Sequence, residues 1–215
     1  MQLSLLTVTK LLRRTPAYGL GAALLVWPNY LHWLITGRPA PPPHKFKQQA
    51  VRRYAQRFAC ETLVETGTFR GDMLAAVRND FAILYSIELS RDLHRKAVLR
   101  FKNFRHINLL HGDSSRVLAD IIPVLRGKAL FWLDGHYSGG ITALGQTETP
   151  VIDELDLVLR IPDRTDVILV DDARCFDGKN GWPTVEDLRA FVAARRPDCA
   201  FDVRDDIIRI TPRIG

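Results

Sequence analysis

The sequence predicts an α/β domain with a mostly parallel sheet, helices on both faces and an antiparallel hairpin at its C-terminal end. Short apolar runs alternate with helical patterns from residue 45 to residue 195, an order typical of a parallel sheet. A glycine turn joins a strand pattern to a helix pattern at 62–72. Carboxylates stand at the ends of several predicted strands, where ligands bind in open α/β sheets.

The individual elements follow from hydrophobic periodicity and from the turn residues between them. Strands are predicted from residue 62 and at 81–89, 106–110, 128–133 and 166–170. Helices are predicted at 45–59, 71–77, 90–101, 114–125, from Pro150 onward and at 183–195. Ser90 is the predicted N-cap of the helix at 90–101. Two final strands, 199–204 and 207–211, predict the hairpin that closes the sheet.

We divide the chain into an apolar, basic leader (1–38), a proline-rich linker (39–44) and the α/β domain (45–215). The net charge is +6, but residues 1–60 hold nine Lys or Arg and no Asp or Glu, hence +9. The remainder, with 21 basic and 24 acidic residues, carries −3. An enzyme that binds nucleic acid would more often spread positive charge around its cleft. We therefore expect no nucleic-acid partner, and contact between residues 1–38 and an anionic membrane surface.

Residues 18–36 are nearly free of charge and approach the length of about 20 residues that spans a bilayer. Pro28 and His32 interrupt this segment, and Trp27 and Trp33 are residue types that favour the membrane interface. An in-plane or re-entrant anchor therefore fits better than a clean span. The alternative is that the segment packs on the domain as extra helices or forms a homodimer contact.

The three cysteines, Cys60, Cys175 and Cys199, form no Cys-x-x-Cys pair. Neither a zinc site nor a disulfide framework is therefore indicated. We expect a reducing, cytoplasmic location, with membrane association through the leader. Each cysteine is expected to be a small apolar side chain in or near the core.

The glycine turn is the most informative stretch of the chain. It reads Thr-Leu-Val-Glu-Thr-Gly-Thr-Phe-Arg-Gly-Asp, so Gly67 and Gly71 frame an E-x-G-x-x-x-G pattern after a buried strand. Glycines let a ligand approach the backbone, and the start of the next helix offers free N–H groups, so the turn is typical of a nucleotide site. It lacks the second glycine of the dinucleotide motif G-x-G-x-x-G. An ordinary strand-to-helix turn is the alternative.

This turn resembles the first motif of class I methyltransferases, which wraps the methionine part of S-adenosylmethionine (SAM). The resemblance implies a Rossmann-like class I methyltransferase sheet and SAM as the cofactor. It also implies that Glu65 and Gly67 lie at the sulfonium end of SAM, with Thr68 and Gly71 among the residues that bind it. A carboxylate beside a cationic sulfur is electrostatically favourable.

Two further strand ends complete the predicted cofactor site. Glu88 follows the glycine turn by about twenty residues, where a carboxylate in nucleotide-binding α/β folds accepts hydrogen bonds from ribose hydroxyls. A solvated strand end is the alternative. The segment His-Gly-Asp-Ser-Ser at 111–115 resembles the family's adenine-side motif, which implies that Asp113 and Ser114 contact the adenine. Asp113 also fits the N-cap of the following helix, and the two roles are compatible.

Three more carboxylates, Asp134, Asp171 and Asp172, follow two strands that should be neighbours. Carboxylate oxygens are the ligands that magnesium prefers, and the arrangement is similar to metal-dependent O-methyltransferases of the catechol and macrolide-sugar types. In that interpretation, Mg²⁺ bound by the three aspartates polarises the acceptor oxygen. In the alternative, Arg174 neutralises Asp171 or Asp172 and no metal binds.

Asp134 and His136 are the predicted catalytic residues. The segment Asp-Gly-His at 134–136 looks like the Asp-x-x-His segment of sugar and antibiotic methyltransferases, with a shorter spacing. His136 is the candidate general base or metal-side ligand. Tyr137, Phe176 and Trp182 are candidates for the wall of an apolar substrate pocket, with core packing as the alternative.

The sequence therefore predicts a SAM-dependent O-methyltransferase, assisted by magnesium, that acts on a small-molecule, glycosyl or lipid-linked hydroxyl. A non-catalytic binding or scaffold protein that keeps the same fold is the alternative. A nicotinamide-dependent oxidoreductase is a third candidate, and the missing glycine argues against it.

Overall fold

The computed structural model describes residues 29–134, 150–161, 164–179 and 181–213. The chain consists of two compact units, which divide between Lys47 and Gln48. Most of the predicted leader, residues 1–28, lies outside the described residues.

In the first unit, residues 29–35 are helical. Trp33 is buried against Phe46, with 4.7 Å between ring centroids, and its indole N–H donates to the carbonyl of Pro39 at 2.7 Å. Leu31 and Ile35 are exposed, at 59% and 77%. Within the described ranges, no helix has the length and apolar character needed to cross a membrane. The predicted membrane contact of residues 1–38 stays a prediction.

The regular elements alternate as the sequence predicted. The helices are α1 (His44–Phe58), α2 (Asp72–Val77), α3 (Arg91–Phe101), α4 (Ser114–Ile121), α5 (Val151–Leu159) and α6 (Val185–Arg195). The strands are β1 (Thr62–Thr66), β2 (Ile83–Glu88), β3 (Ile107–His111), β4 (Ala129–Leu133), β5 (Val167–Val170), β6 (Cys199–Arg204) and β7 (Ile207–Pro212). Two short 3₁₀ turns lie at Ile122–Val124 and Ala173–Cys175.

The strands form one sheet in the order β3-β2-β1-β4-β5-β7-β6. The first five strands pair in parallel, whereas β7 is antiparallel to both β5 and β6. The predicted mostly parallel sheet with a C-terminal antiparallel hairpin is therefore confirmed. The strand β1 lies at the centre of the parallel part, between β2 and β4.

Alternate residues of the central strands face opposite layers of the domain. On one face, Val64, Phe131 and Ile168 join a core cluster with side chains of α4, α5 and α6. Their sequence neighbours Leu63 and Leu169 point to the other face, since side chains alternate along a strand, and both are fully buried. Both faces are therefore covered, as is usual for parallel sheets.

Local chemistry sets the ends of several helices. The hydroxyl of Ser90 accepts a hydrogen bond from the N–H of Leu93, which confirms the predicted cap of α3. Thr184 and Asp187 form a capping box, so α6 begins after the predicted start at residue 183. The helix predicted at 114–125 ends at Ile121 and continues as a 3₁₀ turn, because Pro123 has no N–H to donate to the helix.

Gly71, the residue before α2, adopts a left-handed conformation with φ 71°. A Cβ atom there would lie 2.6 Å from Cε2 of Phe101, which is closer than packed atoms allow. Gly127 has a similar φ of 65°, but a Cβ atom there would meet only Glu61 Oε2, at 3.7 Å. An alanine at either position would have the same backbone strain, but only the one at position 71 would also overlap a neighbouring side chain.

We predict that Gly71→Ala lowers the free energy of unfolding by about 2–4 kcal/mol, because a left-handed alanine costs about 1–2 kcal/mol and an overpacked contact adds to it. The control, Gly127→Ala, should cost only about 1–2 kcal/mol. Urea denaturation of both variants measures the difference. Equal losses would mean that the Phe101 ring moves aside without cost.

Candidate functional site

The carboxyl ends of the parallel strands meet along one edge of the sheet, and main-chain hydrogen bonds hold them together. Gly67 N–H donates to the carbonyl of Ile87, and Gly112 N–H donates to that of Glu88, at 3.0 and 3.1 Å. On the other side of β1, Asp134 N–H donates to the carbonyl of Thr66 at 3.2 Å. The predicted site residues that follow these strands therefore lie along the same edge.

The glycine turn between β1 and α2 contains three left-handed residues, Gly67, Phe69 and Gly71, with φ of 81°, 48° and 71°. Gly71 N–H donates to the carbonyl of Thr68 at 2.7 Å. Phe69 N–H donates to Oε2 of Glu88, also at 2.7 Å. The N–H of Gly71 is therefore used within the turn, and the N–H of Phe69 is used by the carboxylate at the end of β2.

Glu88 joins the glycine turn to the start of α3. Its Oε2 accepts from Phe69 N–H, and its Oε1 accepts from Ser90 N–H at 2.8 Å. The residue is 6% exposed, which is low for the solvated strand end that was the alternative. A carboxylate oxygen can accept more than one hydrogen bond, so both oxygens retain capacity for a ligand hydroxyl.

Glu65 lies inside the sheet beneath the glycine turn, 2% exposed. Its Oε2 accepts a hydrogen bond from Ser86 Oγ at 2.6 Å, and Ser86 Oγ lies 2.6 Å from Thr68 Oγ1. Burial raises the pKa of Glu65 to about 8. The carboxyl is therefore mostly neutral at pH 7. Through Ser86 it supports the position of Thr68 in the glycine turn. Its predicted position beside a sulfonium stays a prediction.

Asp113 and Ser114 lie at the start of α4. The carboxylate of Asp113 accepts from the N–H of Ser115 at 3.0 Å and from its hydroxyl at 2.6 Å. The predicted N-cap role of Asp113 is confirmed. The adenine-side role that the resemblance implies for the two residues stays a prediction.

Asp134, Asp171 and Asp172 come together at the ends of β4 and β5. One carboxylate oxygen of each lies within 4.8 Å of the other two. Asp171 and Asp172 are buried, and Oδ1 of Asp171 accepts from the N–H of Asp172 at 2.8 Å. Asp172 is left-handed, with φ 55°. Three carboxylates at this spacing match the hard oxygen ligands of a divalent cation.

Arg174 contacts this cluster from the side. Its Nη1 lies 2.8 Å from Oδ1 of Asp172 and also pairs with Asp206 in the turn between β6 and β7. Asp206 in addition accepts from the backbone N–H groups of Ala173 and Arg174. Both interpretations of the cluster thus have support, because the carboxylates are close enough to share a cation and a guanidinium already partly neutralises one of them.

His136 and Tyr137 lie outside the described residues, so the predicted base and one candidate for the pocket wall stay predictions. Phe176 and Trp182 pack edge to face, with 4.9 Å between ring centroids. Phe176 is buried and belongs to the core cluster, as the packing alternative expected, whereas Trp182 is half-buried and packs against that cluster.

Sequence reasoning missed three polar residues that support the site, Thr66, Ser86 and Glu154. Each is buried among apolar neighbours. Ser86 pairs in register with Glu65 across β1 and β2, and Glu154 occupies a core position of α5. The signal that could have found them is a polar residue at a position of a strand or helix where the pattern expects an apolar one.

The raised pKa of Glu65 makes stability depend on pH. The ordinary value is 4.5, so between about pH 4.5 and 8 the folded chain keeps a proton that the unfolded chain has lost. The stabilisation is therefore complete below the unfolded pKa and is lost as the pH rises through the folded pKa. Glu154, with a pKa raised by burial to about 7, has the same sign.

We predict that the free energy of unfolding falls less steeply between about pH 5 and 8 in Glu65→Gln than in the wild type, by up to about 1.4 kcal/mol per pH unit. Urea denaturation at a series of pH values measures the two slopes. The control Glu61→Gln changes an exposed glutamate next to the same strand and should keep the wild-type slope. Parallel slopes for Glu65→Gln and the wild type would contradict the assignment.

No protein-family model matches the sequence, and no curated protein matches it significantly. Solved structures do match. An O-methyltransferase from Bacillus cereus in complex with SAH has a TM-score of 0.57 at 13% identity, covering 83% of this chain and 86% of that one. TomG from Streptomyces achromogenes, an O-methyltransferase involved in tomaymycin synthesis, in complex with SAM, has 0.53 at 17%, covering 79% and 80%. The SAH-bound Podospora anserina methyltransferase PaMTH1 has 0.51 at 14%, covering 78% of each chain.

These identities are low, so the likeness concerns the arrangement of strands and helices. This chain has the same kind of arrangement in its own structure: five parallel strands, an antiparallel β7 and a glycine turn after β1. The chain has the class I methyltransferase fold.

Proposed function

We propose that this chain is a SAM-dependent methyltransferase that transfers the methyl group to an oxygen atom of a small molecule. The observation that carries the proposal is the hydrogen bonding of the glycine turn to Glu88, on the same edge of the sheet as Asp113 and Asp134. Structures with the same fold hold SAM or SAH, and ligands of open α/β sheets bind at this edge.

The residues along the edge fit the cofactor. The carboxylate of Glu88 has the capacity to accept from ribose hydroxyls, and Asp113 and Ser114 stand one strand further, on the adenine side. Gly67 leaves the backbone open where the amino-acid part would lie. Glu65 supports the turn from below through Ser86.

SAM supplies a methyl group on a positively charged sulfur, and its transfer requires the acceptor oxygen to approach in line. The residues of this chain would align the acceptor oxygen with the methyl group and remove the proton of the acceptor hydroxyl. His136, two residues after Asp134 in sequence, is the candidate to take the acceptor's proton at a ring nitrogen. Phe176 and Trp182, close to Asp172 in sequence, are proposed to exclude water from the acceptor side.

The cluster of Asp134, Asp171 and Asp172 fits a magnesium ion, in donor type and in mutual distance. A bound ion would polarise the acceptor oxygen and lower its pKa. Arg174 would then share Asp172 with the ion, and its second partner, Asp206, would hold it in place. A hydroxyl acceptor, on a small molecule, a glycosyl group or a lipid-linked molecule, is the class that benefits from this chemistry.

We predict that the wild type binds SAM and SAH, and that Glu88→Gln weakens SAH binding by about tenfold or more. One oxygen of Glu88 becomes an NH₂ group in this variant, which cannot accept from Phe69 or Ser90, so the glycine turn loses a fixed partner. Isothermal titration calorimetry measures both affinities. The control Asp120→Asn changes an exposed carboxylate on α4 and should bind as the wild type does. A wild type that binds neither ligand, with or without Mg²⁺, would favour the scaffold alternative.

We predict that Asp134→Asn and Asp171→Asn each weaken Mn²⁺ binding by about tenfold or more, because each removes a charged ligand from the cluster. Titration of free Mn²⁺ by electron paramagnetic resonance, in the presence of SAH, measures the affinity. Asp177→Asn, a change of an exposed aspartate that pairs with Lys179, is the control. Ion binding and turnover unchanged in both cluster variants would rule out the metal.

A further inference from the structure

The helices of the α/β domain form two layers, one on each face of the sheet. Ion pairs join α1 to the turn after α2, and α2 to α3: Arg52 Nε lies 2.8 Å from Oδ2 of Asp80, and Arg100 Nη1 lies 2.8 Å from Oδ1 of Asp72. The buried side chains of α1, α2 and α3 do not belong to the core cluster that α4, α5 and α6 share. The first three helices therefore cover the other face of the sheet.

The layer of α1, α2 and α3 is strongly basic, and the opposite layer is not. In the second unit, its segments 48–61, 67–82 and 89–106 hold eleven Lys or Arg and four Asp or Glu, hence +7. The segments around α4, α5 and α6, which are 112–128, 150–166 and 171–198, hold ten and thirteen, hence −3. The positive charge of the domain is therefore concentrated on one side.

The outward side of α3 combines much of this charge with aliphatic side chains. The buried residues of the helix are Leu93, Ala97 and Phe101. Leu99 is 65% exposed and Val98 is 42% exposed. We call the exposed basic and aliphatic residues of this helix and its C-cap the α3 face: Arg91, Arg95, Lys96, Val98, Leu99 and Lys102. Asp92 is exposed beside them.

Stability of the helix does not account for this pattern. Arg91 and Arg95 are four residues apart, as are Lys96 and Arg100, and like charges at this spacing oppose helix formation. Arg100 has a partner in Asp72, but within the described ranges no ion pair involves Arg91, Arg95 or Lys96. An apolar side chain in water gains nothing from the hydrophobic effect. The α3 face therefore has cations and aliphatic groups available to a partner.

We propose that the α3 face binds the surface of an anionic lipid bilayer. Its cations contact lipid phosphates, while Val98 and Leu99 enter the zone between headgroups and acyl chains. Single-stranded nucleic acid is instead bound by cations together with exposed aromatic rings that stack on bases, and Phe101 of α3 is buried. This contact is separate from the one predicted for residues 1–38, and it does not depend on the proposed methyl transfer.

Removal of three cations from the α3 face tests the proposal. The variant combines Arg95→Gln, Lys96→Gln and Lys102→Gln in the full chain. Each Lys or Arg near an anionic membrane contributes about fivefold in affinity, so this variant should bind about a hundredfold more weakly. Co-sedimentation with vesicles of equal parts phosphatidylglycerol and phosphatidylcholine measures the affinity, and circular dichroism measures the thermal midpoint.

The matched control removes three exposed cations outside the α3 face. Arg116→Gln, Arg126→Gln and Lys128→Gln, combined, lower the net charge by the same amount. Because salt screens charges beyond about 8 Å at physiological ionic strength, cations on the far side of the domain contribute little, and the control should bind within about threefold of the wild type. Residues 1–38 are identical in the two variants, so the comparison isolates the α3 face.

Leu99→Gln distinguishes a bilayer from a nucleic acid. It keeps the charge of α3, and glutamine is also a good helix former. Vesicle binding should weaken by about fivefold, because the leucine side chain no longer leaves water on binding. Binding to a DNA or RNA duplex depends mainly on phosphate contacts and would not change.

Several results would overturn the proposal. A wild type that does not bind the anionic vesicles is one, and equal binding to pure phosphatidylcholine vesicles is another. A folded α3 variant that keeps the wild-type affinity, or that loses no more than the control, would assign any binding to other parts of the chain. Tighter binding to the duplexes than to the vesicles, with Leu99→Gln unchanged in both, would assign the face to nucleic acid.

If the triple α3 variant does not fold, its three single substitutions take its place. Each should weaken binding to the anionic vesicles by about fivefold. Unchanged affinity in all three would overturn the proposal as well.

Discussion

The parallel pairing of β1 with β2 and with β4 is the constraint on which the rest of the molecule depends. The register aligns Thr66 with Ile87 on one side and with Leu133 on the other. The three strands therefore end at the same height. Each strand is followed by a polar segment. The glycine turn, the carboxylates and the starts of the helices therefore lie along one edge of the sheet. A one-residue shift in either pairing would turn the central side chains to the opposite face.

Two buried carboxyls lie near this edge of the sheet, and apolar packing alone does not require them. Glu65 and Glu154 are both almost fully buried, and burial raises both pKa values. Each accepts hydrogen bonds from hydroxyls, and neither pairs with a cation at hydrogen-bonding distance within the described chain. Local departures from an apolar core that lower stability are expected where a protein binds or reacts. Here Glu65 is linked through Ser86 to Thr68 of the glycine turn, and Glu154 contacts Thr66, the last residue of β1.

The acidic cluster depends on a different part of the chain. Asp172 is held in a left-handed conformation, and the turn between β6 and β7 braces the backbone around it through Asp206. The antiparallel hairpin therefore closes the sheet and also contributes to the acidic cluster. It supplies the carboxylate that holds Arg174, and through Arg174 it sets how much of the negative charge of the cluster is neutralised. Any cation at this site would compete with a guanidinium.

The sequence by itself determined the order of strands and helices and the hairpin that closes the sheet. It also determined the helix caps at Ser90 and Asp113, and the meeting of Asp134, Asp171 and Asp172. Each depends on local periodicity, or on the rule that parallel strands end at one edge of a sheet. Three features could not be predicted in this way. The first is the burial of Glu65 with its hydrogen bond from Ser86. The others are the backbone N–H groups that donate to both oxygens of Glu88, and the contact of Glu154 with Thr66. Only the tertiary structure decided them, because each joins side chains or turns from different elements, and their distances are set by the packing of helices on the sheet.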